Sequence, residues 1–171
     1  LETLLKIAET DPNDVITQHN LGNVLGELGR SDEAIVHYDN ALAFGCDDFD
    51  LHKNRAITLT ELGDFSAALD SYKNALQHSV DGSLLNSCGV LLNRMNRSEE
   101  ALSYFEQSLA LDPDYFEANY NLSGCLVENK APDDALVFID KALELEPLHA
   151  GALNRRGEIL LALKRFDQCL S

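Results

Sequence analysis

Apolar residues recur at helical spacing along the chain, in blocks that repeat every 33 or 34 residues. In one block Leu21, Leu25 and Leu28 lie three or four residues apart, which is the spacing of one face of an α-helix. A short polar segment follows, and Ala34 and Tyr38 then begin a second apolar stripe of the same kind. Each block is therefore predicted to form two antiparallel helices joined by a short turn.

Two positions in every block carry small residues. In the first helices these residues are Gly22, Ala56, Gly89, Ser123 and Gly157. In the second helices they are Ala34, Ala68, Ala101, Ala135 and Cys169, and four residues later stand Tyr38, Tyr72, Phe105 and Ile139. A small side chain lets two helices approach closely, and the larger residue fills the neighbouring gap. The pattern predicts an all-α stack of helix pairs.

The residues between the predicted helices suit helix ends. The places where first helices should end hold Gly29, Gly63, Asn96, Lys130 and Lys164. Glycine and asparagine readily adopt the left-handed conformation that closes a helix, so the two lysine turns are expected to be less favourable. The residues predicted to cap second helices are Ser31, Asp64 and Ser98.

This repeated agreement resembles the tetratricopeptide repeat family over essentially the whole chain. The resemblance implies a right-handed superhelical solenoid of antiparallel helix pairs, with the first helices lining its concave face. The departures are a one-residue shortening near Asp81-Gly82, Arg55 and Arg156 where leucine is usual, and the absence of tryptophan. The predicted units are a second helix at 1–14, repeats at 15–48, 49–81, 82–115 and 116–149, and a truncated repeat at 150–171.

The resemblance also predicts which residues face a bound partner. We expect an extended peptide or a helix to contact residues of the first helices, which are Asn20, Asn23, Lys53, Asn54, Asn86, Asn93, Arg94, Tyr120, Asn121, Asn154 and Arg155. Asparagine offers a donor and an acceptor on one side chain, so a row of asparagines can bond a peptide backbone of almost any sequence. Solvated polar helix faces are the alternative interpretation.

Two binding modes of the family can be compared with these residues. Asn20-Leu21-Gly22-Asn23-Val24-Leu25 resembles the repeat region of O-linked N-acetylglucosamine transferases, in which such asparagines are implied to hold protein substrates. The second mode, a clamp of Lys, Asn and Arg that binds acidic chaperone tails, is incomplete in every frame. Starting from Asn23 and Asn54, the third helix supplies Ser83 and Ser87. We expect weak or no binding to such tails.

Charge narrows the class of partner. The chain holds 13 Lys and Arg against 29 Asp and Glu, a formal charge of −16. This excess disfavours nucleic acid, including the RNA bound by the similar pentatricopeptide repeats, and anionic membrane surfaces. A neutral or basic protein partner is expected. Neither a signal peptide nor a transmembrane segment is visible, and the cysteines are expected to be reduced, so a cytoplasmic location is predicted.

Candidate catalytic and metal-binding motifs are not found. The segment Cys46-Asp47-Asp48-Phe49-Asp50 lacks the ligand pattern of a calcium loop and is interpreted as an inter-repeat turn. The five histidines are scattered, and no cofactor, metal or catalytic residue is predicted. The expected function is a non-catalytic scaffold. Two alternatives stay open, a substrate-recruiting region of a larger enzyme such as a glycosyltransferase, and self-association through apolar residues of the terminal repeats, namely Leu1, Leu4, Leu5, Ile7, Phe166, Cys169 and Leu170.

Overall fold

The computed structural model describes residues 1–163, which form ten α-helices and fall into two compact units, Leu1–Val80 and Asp81–Ser171. The first unit holds α1 (Glu2–Thr10), α2 (Val15–Glu27), α3 (Ser31–Ala43), α4 (Phe49–Leu62) and α5 (Phe65–His78). The second holds α6 (Gly82–Arg94), α7 (Ser98–Leu111), α8 (Phe116–Glu128), α9 (Pro132–Leu145) and α10 (Ala150–Ala162). The predicted all-α series of helix pairs is confirmed, whereas the repeat boundaries stay a prediction.

Within each unit, every helix packs against the next one along the chain. The first helices of neighbouring repeats also contact each other, α2 with α4 in the first unit, and α6 with α8 and α8 with α10 in the second. No helix among residues 1–163 is long and apolar enough to cross a membrane. Lys164, Phe166, Cys169 and Leu170 lie outside the described residues.

Aspartates determine where several helices begin. Asp14, Asp48, Asp64 and Asp81 accept hydrogen bonds from backbone amides in the first turns of α2, α4, α5 and α6. Each bond satisfies an amide that has no partner inside the helix. The predicted cap Asp64 is therefore confirmed.

The two predicted serine caps are wrong. Ser31 and Ser98 are the first residues inside α3 and α7 and make no capping hydrogen bond. Their hydroxyls instead donate to carboxylates of the following first helices, Glu61 at 2.9 Å and Glu128 at 2.8 Å. These serines therefore connect neighbouring repeats.

Left-handed residues close the first helices as predicted. The backbone φ is 71° at Gly29, 81° at Gly63 and 59° at Asn96. Lys130 adopts the same conformation, with φ of 61°, although a lysine gains no steric relief there. A helix turn of one fixed shape is thus used at all four places, whatever residue occupies it.

The core of each unit depends on small residues facing large ones. In the first unit, Ala34, Tyr38 and Leu51 belong to one buried cluster. A Cβ added to Gly22 would lie 2.5 Å from the Tyr38 ring, so only glycine allows this approach. In the second unit a Cβ on Gly89 would lie 2.6 Å from the Phe105 ring. The predicted close contacts at the small positions are therefore present in both units.

The two arginines that replace the usual leucine are accommodated by ion pairs. Arg55 Nε donates to Asp39 at 2.8 Å, and Arg156 Nε donates to Asp140 at 2.6 Å. In both pairs the aspartate lies 16 residues earlier, on the preceding second helix. The departures from the repeat pattern thus come as matched pairs of residues.

Candidate functional site

In the first unit, α2 and α4 border an open cleft whose floor is formed by a side chain of α3. The cleft has a volume of about 300 Å³. The residues that line it are Asn23, Gly26, Glu27, Tyr38, Asn54, Ile57, Thr58 and Glu61. The expected peptide-binding residues Asn23 and Asn54 are therefore brought together in one cleft.

Tyr38, Asn23 and Asn54 form a chain of hydrogen bonds across this cleft. The Tyr38 hydroxyl donates to Asn23 Oδ1 at 3.0 Å, and Asn54 Nδ2 donates to the same oxygen at 2.9 Å. Tyr38 is only 1% exposed, and burial raises the pKa of its phenol to about 12, so it remains a neutral donor. Among residues 1–163, Asn23 Nδ2 and Asn54 Oδ1 keep no hydrogen-bond partner.

The cleft of the first unit carries negative charge. Glu27 and Glu61 stand one helical turn beyond Asn23 and Ile57 on neighbouring first helices, and both line the cleft. Glu61 also accepts the hydrogen bond from Ser31. No Lys or Arg is among the residues lining this cleft. Its charge therefore favours a cationic occupant.

In the second unit, a cleft of about 220 Å³ lies at the equivalent repeat positions. The residues that line it are Val90, Asn93, Arg94, Phe105, Asn121, Gly124, Glu128 and Arg155. Asn121, Phe105 and Glu128 stand 67 residues after Asn54, Tyr38 and Glu61, respectively, in the sequence. Arg94 takes the place of Glu27, so the charge of this cleft is mixed.

Asn121 has a different partner from its repeat equivalent. Its Nδ2 donates to Asn86 Oδ1 at 3.0 Å, which links α8 to α6. Asn86 is 7% exposed, so most of its side chain lies within the unit. Asn93 accepts a hydrogen bond from Ser98 Oγ at 2.8 Å. Three of the expected binding residues therefore make contacts within their own unit.

Tyr120 and Arg155 contact each other. The Arg155 guanidinium carbon lies 3.7 Å from the centre of the Tyr120 ring, and Nη1 donates to the Tyr120 carbonyl oxygen. Phe116 stacks on Tyr120 with centroids 5.9 Å apart, and the His149 ring meets Tyr120 edge-on at 5.6 Å. Sequence reasoning missed this aromatic cluster because Phe116 and His149 were treated as isolated residues.

The remaining expected residues are spread over the first helices. Asn20 and Asn154 are exposed, and Arg94 is exposed beside the second cleft. The Lys53 ammonium lies 5.7 Å from the centre of the Phe49 ring. The structure thus groups two asparagine pairs and one Arg–Tyr pair from the eleven residues.

Two family models match the chain, and both describe a tetratricopeptide repeat. They cover residues 3–36 and 92–148, together just over half of the sequence. Tetratricopeptide repeat protein 6 of Homo sapiens is 22% identical over 161 residues, which make up 94% of this chain and 31% of the human protein. The chain spans about a third of the length of the first curated relatives it matches.

The likeness to O-linked N-acetylglucosamine transferases is confirmed as a distant one. UDP-N-acetylglucosamine–peptide N-acetylglucosaminyltransferase of Giardia intestinalis is 30% identical over 83 residues, covering 48% of this chain and 6% of that enzyme. Among solved structures, YrrB, a TPR protein described as having an unusual peptide-binding site, superimposes with a TM-score of 0.80. Its identity is 24%, and the match covers 95% of this chain and 84% of YrrB. Family models, relatives and fold agree, and the chain belongs to the tetratricopeptide repeat family.

Proposed function

We propose that this chain is a non-catalytic scaffold that binds an extended peptide segment of another protein along its first helices. The carrying observation is the pair of repeat-equivalent clefts, each with an asparagine held by a second asparagine of a neighbouring first helix. The peptide-binding site for which YrrB is described supports the same kind of ligand. The expected site residues enter this proposal as candidates for contact.

The hydrogen bonds within each cleft orient the groups that would meet a peptide. In the first unit, Asn23 uses its oxygen internally, which leaves its amide nitrogen to donate to a peptide carbonyl. Asn54 uses its nitrogen internally, which leaves its oxygen to accept from a peptide amide. One donor and one acceptor suit the two polar groups of a peptide unit. Fixing both side chains beforehand reduces the entropy lost on binding.

The charge of the first cleft supports a neutral or basic peptide. Glu27 and Glu61 would attract a Lys or Arg side chain, and the chain's formal charge of −16 would speed its approach. Arg94 in the second cleft would favour a different side chain at that point of a ligand. The proposed location of this activity is the cytoplasm.

The first experiment tests the asparagines. Peptides selected on the wild-type chain from a random displayed library would be synthesised, and their affinities measured by fluorescence anisotropy. Asn54→Ala combined with Asn121→Ala should weaken binding about tenfold, because each lost hydrogen bond contributes about 0.5–1.5 kcal/mol and about 1.4 kcal/mol is a factor of ten. Asn13→Ala, at an exposed position before α2, is the matched control. Equal affinity of the double variant and the wild type, with helical content unchanged, would refute the proposal.

A second experiment tests the charge preference. Glu27→Gln removes one carboxylate from the first cleft while keeping the size of the side chain. It should reduce the affinity for basic peptides and the salt dependence of binding, with little effect on uncharged peptides. Glu9→Gln, an exposed carboxylate on α1, is the control for net charge. If both variants reduce the affinity equally, the cleft does not select a basic side chain.

Two other roles stay as proposals. The match to the Giardia transferase favours recruitment of substrates to an enzyme, and tandem mass spectrometry of selected ligands for acceptor Ser or Thr sites would test it. Self-association through α1 has the exposed side chains of Leu1, Leu5 and Ile7 in its favour. Sedimentation velocity at high concentration would test it, and a strictly monomeric species would contradict it.

A further inference from the structure

The turn between α3 and α4 brings a carboxylate against two histidines. Asp47 lies in this turn, His52 stands in the first turn of α4, and His78 is the last residue of α5. Asp47 Oδ1 is 2.7 Å from His52 Nε2 and 3.2 Å from His78 Nε2. The two imidazole rings are stacked, with centroids 5.8 Å apart and planes inclined by 23°. All three residues belong to the first unit.

The atoms that converge here are ligands of transition metals. Imidazole nitrogen and carboxylate oxygen bind Zn²⁺ at about 2.0–2.2 Å, and tetrahedral coordination then places ligand atoms about 3.3 Å apart. The three ligand atoms already lie within 4.8 Å of one another, and the two separations from Asp47 are 2.7 and 3.2 Å. Rotations of these side chains by less than an ångström at the ligand atoms would therefore admit the ion.

The surroundings combine a fixed ligand with an open approach. The His52 side chain is 7% exposed, that of His78 is 33% exposed, and that of Asp47 is 71% exposed. A metal held by these groups would be anchored on the buried imidazole and reached from solvent beside the carboxylate. Three protein ligands leave a fourth position for water or a ligand atom of a partner.

We propose that Asp47, His52 and His78 form a binding site for a divalent transition-metal ion, for which Zn²⁺ is the best match. Nitrogen and carboxylate ligands without a thiolate suit Zn²⁺, Ni²⁺ or Co²⁺ better than Ca²⁺ or Mg²⁺, which prefer all-oxygen sites. The bound ion would tie the start of α4 and the end of α5 to the turn before them. It would therefore stabilise the folded first unit by mass action.

A second group on the same turn competes for the metal. His19, Cys46 and Asp48 also have ligand atoms within 4.8 Å of one another. However, the Cys46 thiol donates to Asp48 Oδ2 at 3.2 Å, and burial together with this bond raises its pKa to about 11. Asp48 Oδ1 already caps α4 through the amide of Leu51. Only a thiolate binds metal well, so the histidine pair is the favoured site.

The test is isothermal titration of Zn²⁺ into the full chain after treatment with chelator. We expect one ion per chain. Asp47→Asn and His78→Asn should each weaken binding by about 100-fold or more, beyond the loss caused by removing an outer-shell partner. Asp50→Asn removes an exposed carboxylate three residues further on and should bind like the wild type. His52 is buried, and its substitution is therefore avoided in favour of the two more exposed ligands.

Co²⁺ provides a second readout that separates the two groups. Binding at the proposed site should produce visible d–d bands without a thiolate-to-cobalt charge-transfer band, and Cys46→Ser should leave the spectrum unchanged. Zn²⁺ should raise the melting temperature of the wild type but not of Asp47→Asn. No binding, equal affinity of Asp47→Asn and Asp50→Asn, or a charge-transfer band that Cys46→Ser abolishes would each overturn the proposal.

Discussion

Lys130 offers a direct test of the link between backbone conformation and stability in this chain. Its φ of 61° lies in the left-handed region, which costs an L-residue with a side chain about 1–2 kcal/mol. Glycine avoids that cost but has a more flexible unfolded state, which offsets about 0.4–1 kcal/mol. The lysine side chain is exposed, and the backbone bond from its amide to Val127 is kept in any variant. Lys130→Gly should therefore stabilise the fold by about 0.5–1 kcal/mol.

Urea and thermal unfolding followed by circular dichroism would measure this gain. For a protein of this size, about 1 kcal/mol corresponds to roughly 2–4 °C in melting temperature. Lys130→Ala removes the side chain but keeps a Cβ, so it should leave stability nearly unchanged. Gly63→Ala, at the equivalent place with φ of 81°, should lose about 1 kcal/mol. The reasoning is refuted if Lys130→Ala stabilises as much as Lys130→Gly, or if the glycine variant is less stable than the wild type.

Three other predictions concern packing, pH and ligand class. Ala68 is fully buried, so Ala68→Leu should destabilise the fold by about 1–3 kcal/mol in urea titrations, whereas Ser66→Leu at an exposed site of α5 should not. Hydrogen bonds from two histidines lower the pKa of Asp47, so its contribution to stability is present above about pH 4 and is lost as pH falls through the lower folded value. The difference in unfolding free energy between wild type and Asp47→Asn should therefore shrink in acid, and a constant difference would contradict this. Peptides with acidic C-terminal tails should bind weakly or not at all, and a low-micromolar affinity by calorimetry would overturn that expectation.

The repeat and its helix ends could be predicted because they depend on residues close in sequence. The small residue at Gly22 and the aromatic Tyr38 recur at fixed offsets, and the contact between them follows from helix geometry. Left-handed residues such as Gly63 and Asn96 were identified from their type alone. Even the unusual Lys130 was located by its repeat position.

Contacts between repeats could not be predicted in the same way. Ser31 and Ser98 have the composition of helix caps, yet each hydroxyl bonds a glutamate 30 residues later. A local window shows only the capping alternative, because the competing acceptor lies on another helix. The histidines against Asp47 were missed for the same reason, since His52 and His78 are 26 residues apart and meet only through packing.

The asparagines show why the site is harder to predict than the fold. Asn54 and Asn121 occupy the same repeat position, but the partner of the first is Asn23 and the partner of the second is Asn86. In the repeat, Asn86 stands one helical turn before the position of Asn23, where the second unit has Val90. Periodicity therefore locates an asparagine, whereas its neighbour decides which of its polar groups faces a ligand. The two clefts should consequently present their donors and acceptors differently, and a ligand selected on one unit should not be assumed to fit the other.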